Sequence, residues 1–136
     1  MKVKGSYVFK VGNKVFRKDN LITLFGESFF LKRMINNAFS PVEYILIGNS
    51  SQTPSISDMR LGNETVKKKC FKSVDLDRKE IVLTCNCEVR EIENSSEIGV
   101  SNGNILISHD VYELPEGFIT PGVDTVEVRY TFRLGD

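Results

Sequence analysis

Tryptophan is absent from this chain of 136 residues, histidine occurs once, and neither sign of charge is in excess, since acidic and basic side chains number eighteen each. Proteins that bind nucleic acid normally carry a basic excess, because neutralising phosphates supplies most of their affinity. The balanced charge therefore argues against a nucleic-acid partner. It also leaves little electrostatic repulsion between copies, which permits self-association.

Long hydrophobic runs are also lacking. No stretch approaches the roughly 20 apolar residues that a membrane-spanning helix needs, and the first residues do not form the apolar core of a secretory signal. We therefore expect the protein to be made in the cytoplasm and not to insert into a membrane. In that compartment the three cysteines, Cys70, Cys85 and Cys87, are expected to be reduced thiols.

His109, the one histidine, stands between Ser108 and Asp110, which places a hydroxyl, an imidazole and a carboxylate in a row. Adjacent residues of a strand point to opposite faces, so these three side chains cannot converge as a catalytic relay. We therefore expect His109 to be a structural or surface residue.

Two of the cysteines, Cys85 and Cys87, are candidate ligands for a soft metal. A zinc site needs four ligands at a recognisable spacing, which Cys70 and His109 do not complete. Both cysteines also occupy the apolar register of their segment, where free cysteine packs as a small hydrophobic residue. The chain has no phosphate-binding glycine loop and no nucleophile elbow either. We therefore expect no catalytic residues, no metal, no cofactor and no enzymatic activity.

Alternation of apolar and polar residues is the strongest pattern that the sequence does contain, and it is cleanest over residues 81–89 and 125–134. Turn signals containing glycine and asparagine predict hairpins over residues 6–17 and 97–108. A nearly continuous apolar stretch at 42–47 predicts a buried strand. A further strand is predicted from Val66 to Phe71, followed by a polar turn that contains Asp75, Asp77 and Glu80. The apolar residues from Ile81 to Val89 are expected to share one face, and those of the last segment, through Leu134, to face inward. Many short strands with regular turn signals predict a mainly β protein, an antiparallel β-sandwich or partly open barrel, in one domain over residues 1–136.

One amphipathic helix is predicted near the N terminus, over about residues 23–39, because apolar residues there are spaced three and four apart. Asn20 or Thr23 is expected to cap its first turn. Gly26 inside this helix costs about 1 kcal/mol relative to alanine, so we expect the helix to pack closely on a sheet at that point.

Candidate contact regions are the N-terminal hairpin, the polar loop at 49–63 and the segment 117–121. The loop is longer than most connections in compact domains, which suggests a functional role, with a packed Ω-loop as the alternative. Phe118 and Ile119 are expected to be exposed apolar anchors, with capping of the core as the alternative. The run Lys67 to Lys69 is expected to be a solvated cluster at the start of a strand, with a phosphate or lipopolysaccharide patch as the alternative. The candidate interface residues are Asn49, Thr53, Pro54, Ile56, Met59, Phe118 and Ile119.

Several segments together resemble a domain common in structural proteins of tailed bacteriophages and prophage-derived particles. They include a Thr-Pro-Ser loop, a Leu-Gly-Asn-Glu motif and a Glu-Ile-Gly strand, and they occur in order at residues 20–23, 44–49, 53–58, 61–64, 97–100, 103–109 and 121–125. The resemblance implies a virion structural protein that is made in the bacterial host cytoplasm and present in multiple copies at the tail, collar, baseplate or fibre attachment region. Its expected partners are copies of itself and other virion structural proteins.

Two alternative functions follow from the same segments and loops. The first is a capsid decoration or head-fibre protein of the same particle. The second is a host-receptor or glycan-binding module, with a host surface glycan as the partner. Such a module should show surface aromatic residues or a convergent polar pocket. The absence of tryptophan therefore argues against this alternative.

Overall fold

Nine strands and two helices make up the structure, a computed structural model that describes residues 2–35 and 39–135. In chain order they are β1 (Lys2–Val11), β2 (Lys14–Ile22), α1 (Leu24–Ile35), β3 (Tyr44–Gly48), β4 (Glu64–Lys69), β5 (Phe71–Asp75), β6 (Glu80–Glu88), α2 (Val89–Ile92), β7 (Glu97–Ser101), β8 (Leu106–Val111) and β9 (Thr125–Gly135). The prediction of a mainly β protein is confirmed.

All nine strands belong to one antiparallel sheet in the order β4-β3-β7-β8-β2-β1-β9-β6-β5. The two end strands, β4 and β5, are consecutive in the chain and only Cys70 separates them. The chain itself therefore joins the two ends of the sheet, which is curled into a nearly closed barrel. Of the two predicted alternatives, this arrangement supports the barrel.

The bend at Cys70 corrects the prediction of one strand from Val66 to Phe71. The amide of Cys70 donates to the carbonyl of Glu43 at 2.7 Å, outside the ladder between β5 and β6. The chain turns there from one end of the sheet to the other.

Both predicted hairpins are present. β1 and β2 turn at Gly12, which has a φ of 56°, and β7 and β8 turn around Gly103, which has a φ of 104°. Glycine enters this left-handed region without the steric cost that a Cβ would bring. β1 and β2 extend beyond the predicted bounds, because β2 continues to Ile22 and forms a short ladder with β8 there.

Alternation along the strands fills the core as predicted, with each inward residue contributing about 1.5–3 kcal/mol of apolar burial. The fully buried members of the core include Tyr7, Phe9, Ile45, Ile47, Leu83, Cys87, Ile98, Val100, Ile107, Val126, Val128 and Tyr130. Leu134 and Ile81 were expected on the inward face but are exposed. Both residues lie at the ends of their strands, where the core does not cover them.

Helix α1 is shorter than predicted and less clearly amphipathic. The structure describes it over Leu24–Ile35; the predicted positions 36–38 lie outside the described residues, and Phe39 is not helical. Thr23 is the cap, since its hydroxyl accepts a hydrogen bond from the amide of Gly26 at 2.9 Å. Only Gly26 and Phe29 are buried, and the other large apolar side chains at 24, 25, 31, 34 and 35 are exposed. Gly26 does pack against the sheet as expected, because a Cβ there would collide with the backbone of Ile107 in β8.

Candidate functional site

Glu97 holds the 49–63 loop against the barrel. Its carboxylate is fully buried at the first position of β7 and accepts hydrogen bonds from the backbone amides of Ser50, Gly62 and Asn63 at 3.0, 2.8 and 2.7 Å. These amides belong to the two ends of the loop. One side chain thus closes the loop at its base and satisfies three amides that have no partner in a strand ladder there.

His109 lies between two carboxylates. Its Nε2 is 2.9 Å from Oε1 of Glu97, and its Nδ1 is 2.8 Å from Oδ2 of Asp58, which belongs to the loop. The imidazole is buried, so it joins a buried strand to the middle of the loop. The structural role expected for His109 is therefore present, in a cluster that also contains Asp58 and Glu97.

Ser108 and Asp110 face other surroundings than His109, as alternation along β8 requires. The carboxylate of Asp110 accepts a hydrogen bond from the hydroxyl of Tyr7 at 2.6 Å and lies 3.2 Å from Nζ of Lys18. Burial raises the pKa of Tyr7 well above its ordinary value, and the hydrogen bond to Asp110 adds to the rise. His109 and Asp110 thus have separate partners, and the three consecutive residues form no relay.

Sequence reasoning did not identify Asp58 and Glu97 as partners of His109. The available signal was Glu97 itself, an acidic residue at the start of a segment whose next residues are apolar. A buried carboxylate needs several donors, and those donors come from backbone amides that a sequence pattern does not indicate.

The candidate interface residues of the loop are mostly on the surface. Asn49, Thr53, Ile56 and Met59 are exposed, and Pro54 is half-buried. A cleft of about 300 Å³ runs between the loop and the barrel, and its walls include Gln52, Thr53, Ser57, Asp58, Met59, Arg60 and His109. The contact role proposed for these residues stays a prediction.

Phe118 is not the exposed anchor that the sequence suggested. Only 6% of it is exposed, and its ring packs against Phe16 with the centroids 6.5 Å apart. Ile119 is half-buried and packs against the same core. The alternative prediction, in which the segment caps the core, describes both residues better.

The lysine run lies on β4. Lys67 stacks over the ring of Tyr44 with Nζ 4.3 Å from the centroid, and Lys68 forms an ion pair of 3.0 Å with Glu91. Two of the three lysines therefore have partners within the chain, and β4 is a charged end of the sheet.

The other end of the sheet, β5, is different in character. All five of its residues are exposed, and among residues 2–35 and 39–135 no strand pairs with its outer edge. Phe71 and Val74 are exposed on it, and Leu76 and Ile81 follow in the turn and at the start of β6. Sequence reasoning missed this strand, because Asp75, Asp77 and Glu80 suggest a polar turn between two strands.

No helix within the described ranges is long and apolar enough to cross a bilayer. Residues 2–35 and 39–135 also contain no group of three acidic, histidine or cysteine side chains that is arranged to hold a metal ion.

Comparison with known proteins gives no further assignment: no family model, no curated protein and no solved structure matches the chain.

Proposed function

We propose that this chain is a non-enzymatic structural protein of a tailed-phage virion, and that its copies assemble through the outer edge of β5. The observation that carries the proposal is the exposure of this edge together with its apolar side chains. An unpaired strand edge presents backbone donors and acceptors that another strand can match, and apolar side chains on it add burial on pairing.

The contrast between the two ends of the sheet supports a contact at β5 in particular. β4 carries Lys67, Lys68 and Lys69, and lysines are a common protection against edge-to-edge pairing. β5 has one lysine, Lys72, which lies 3.4 Å from Glu43. A second copy is the partner that suits this edge, because the net charge is zero and two copies repel one another little.

The place in the particle is proposed on the resemblance alone: the tail, collar, baseplate or fibre attachment region, with a capsid decoration or head-fibre position as the alternative. Negative-stain images of particles labelled on this protein distinguish the two. Label at the tail or its junctions supports the first, and label distributed over the head supports the second.

The test of assembly is light scattering of the purified chain across a concentration series. We expect the mass to rise from that of the monomer to a defined oligomer. Val74→Lys should remain monomeric, because its charge would be placed in the pairing edge, while its melting temperature stays that of the wild type.

The matched control is Val15→Lys. Val15 is 58% exposed and Val74 is 63% exposed, but Val15 lies in the β1–β2 hairpin. This variant should assemble like the wild type; loss of assembly in it alone would identify the hairpin, the other candidate contact region, as the interface. A wild-type chain that stays monomeric at every concentration contradicts self-driven assembly, and equal loss in both variants contradicts the choice of β5.

A glycan-binding role is the second candidate, and the cleft beside the 49–63 loop is the observation that favours it. Its walls offer the hydroxyls of Thr53 and Ser57, the amide of Gln52 and the guanidinium of Arg60. Polar groups of this kind suit a polyhydroxylated ligand. A glycan array probed with the wild type and with Arg60→Ala tests this role. Binding that the variant loses supports it, and no binding by the wild type removes it.

A further inference from the structure

The three cysteines lie together in the core although they come from two places in the chain. Cys85 and Cys87 are inward residues of β6, and Cys70 occupies the bend between β4 and β5. The ladder between β5 and β6 places Phe71 opposite Thr84. Cys70 is the next residue, at the bend where this ladder ends, and Cys85 follows Thr84 on the facing strand. The thiol of Cys85 lies close enough to the thiols of Cys70 and Cys87 to affect their pKa values.

Of the three pairs, the geometry suits a disulfide between Cys70 and Cys85. Cys70 and Cys85 adjoin the last pair of that ladder, Phe71 and Thr84. Directly opposed residues on antiparallel strands have Cα atoms about 4.5–5.5 Å apart, and disulfides span about 4.4–6.8 Å, so this neighbourhood suits a cross-link. Cys85 and Cys87 are alternate residues of one strand, so their Cα atoms lie about 6.5 Å apart and their Cβ atoms point in parallel directions. That orientation is unsuited to a bond between them.

We propose that Cys70 and Cys85 form a disulfide when the protein passes from a reducing to an oxidising environment, and that this bond locks the bend between β4 and β5 onto β6. The structure holds all three thiols free. The change of environment rests on the proposed function, because a virion leaves the cytoplasm of its host; the cross-link itself does not depend on it.

The order of the two steps follows from the chemistry of the pair. The hydrogen bond from Cys85 lowers the pKa of Cys70 although burial opposes this, and donating that bond and a second one to Cys87 raises the pKa of Cys85. Cys85 lowers the pKa of Cys87 in the same way, but Cys87 is unsuited to a bond with Cys85. Within the pair that can form the bond, Cys70 is therefore the first nucleophile, since the thiolate is the reactive form. Cys70 is 8% exposed and adjoins the exposed strand β5, so we expect an oxidant to reach it from that side.

With glutathione disulfide as the oxidant, the exchange balances in two steps. The Cys70 thiolate attacks one sulfur of glutathione disulfide, so a mixed disulfide forms and one glutathione thiolate leaves. Cys85 no longer donates to a thiolate at Cys70; it loses its proton to solvent and attacks Sγ of Cys70, which releases the second glutathione thiolate. Two protein thiols are oxidised, one glutathione disulfide is reduced, and the two protons appear on the two glutathione products.

The experiment equilibrates the folded full-length chain with excess glutathione disulfide, blocks the remaining thiols with N-ethylmaleimide and counts them by intact mass. The wild type should change from three blocked thiols to one. Cys87→Ala should change from two to none, whereas Cys70→Ala and Cys85→Ala should not acquire an intramolecular bond. The oxidised wild type should also melt at a higher temperature than the reduced form, a shift that Cys70→Ala lacks.

Refolding the wild type in the same buffer distinguishes a thiol that the oxidant cannot reach from a pair of cysteines whose positions do not permit the bond. Every thiol is accessible in the unfolded chain, so only the second cause can prevent the bond there. Three blocked thiols after refolding, or an intramolecular bond in Cys70→Ala, overturn the proposal. The readout is made on the mass of a single chain, so a chain that never assembles leaves this result unaffected and contradicts only the proposed function.

Discussion

Glu97 illustrates, among single residues, both what can be inferred from a sequence and what cannot. Alternation places it at the start of a strand, but its partners come from Ser50, Gly62 and Asn63, far away in the chain. The same holds for His109, whose two carboxylate neighbours are 51 and 12 residues distant. A pattern in the sequence indicates which side of a strand a residue occupies, whereas the identity of its contacts depends on how distant segments meet.

Removal of the Glu97 side chain should destabilise the protein strongly. Glu97→Ala leaves three backbone amides and one ring nitrogen without an acceptor, and breaking a buried pair in this way costs about 3–5 kcal/mol. Glu97→Gln keeps an acceptor and the size, so we expect a smaller loss. Urea unfolding measures the free energy, and hydrogen exchange at Ser50, Gly62 and Asn63 reports the loop.

Glu116→Ala is the matched control, because Glu116 is exposed in a turn. Its effect should stay within about 0.5 kcal/mol. If Glu97→Ala also loses no more than about 0.5 kcal/mol of unfolding free energy, or if exchange at the three amides is unchanged, Glu97 is not the residue that holds the loop.

Three buried tyrosines give the protein a predictable response to alkaline pH. Burial raises the pKa values of Tyr7, Tyr112 and Tyr130 well above the ordinary value. The folded chain therefore keeps phenol protons that the unfolded chain releases near pH 10, a value of about 10 being ordinary for tyrosine. The contribution to stability is fully present below about pH 10 and is lost as the pH rises above it.

Urea unfolding at a series of alkaline pH values measures this loss. Tyr7→Phe should lower the free energy of unfolding at neutral pH, because a hydrogen bond to a carboxylate contributes about 1.5–3 kcal/mol, and it should make the decline above pH 10 shallower. An equally steep decline in the variant means that Tyr7 does not retain its proton.

Secondary structure elements were easier to predict than contacts. Alternation and turn glycines indicated β1, β2, β6, β7, β8 and β9, since strand periodicity and positive φ angles are local properties. Two of the failures at this scale have local causes as well. The bend at Cys70 carries no glycine or proline, and the spacing of apolar residues in α1 resembles that of a buried helix although only Gly26 and Phe29 are buried.

Gly26→Ala should destabilise the protein, although alanine is the better helix former by about 1 kcal/mol. The added Cβ meets the backbone of Ile107, and backbone cannot move aside as a flexible side chain can. We expect a net loss of about 1–3 kcal/mol, the usual cost of overpacking. Leu31→Ala, at an exposed position of the same helix, is the control and should change the unfolding free energy little. A more stable Gly26→Ala chain contradicts the close packing of α1 on β8.

The whole molecule is a sheet whose two ends the chain brings together at one bend. The barrel is thereby nearly closed, yet β5 keeps an outer edge that no strand of the described residues covers. Closure of this kind follows from strand order, which composition and periodicity do not indicate. The balanced charge, by contrast, can be read from the sequence. Like the uncovered edge of β5, it bears on the tendency of copies to associate.

Hydrogen exchange at two protein concentrations tests how the whole molecule assembles. In the dilute chain, alternate amides of β5 point away from β6 and should exchange rapidly, because their donors face solvent. At a concentration where light scattering shows an oligomer, these amides should become protected, while amides of β1 and β9 in the middle of the sheet keep the protection that they already have. Val74→Lys should show the dilute pattern at both concentrations. Oligomers that form with β5 still exchanging rapidly place the interface elsewhere, and new protection at the exposed residues of α1 would identify that helix as the contact.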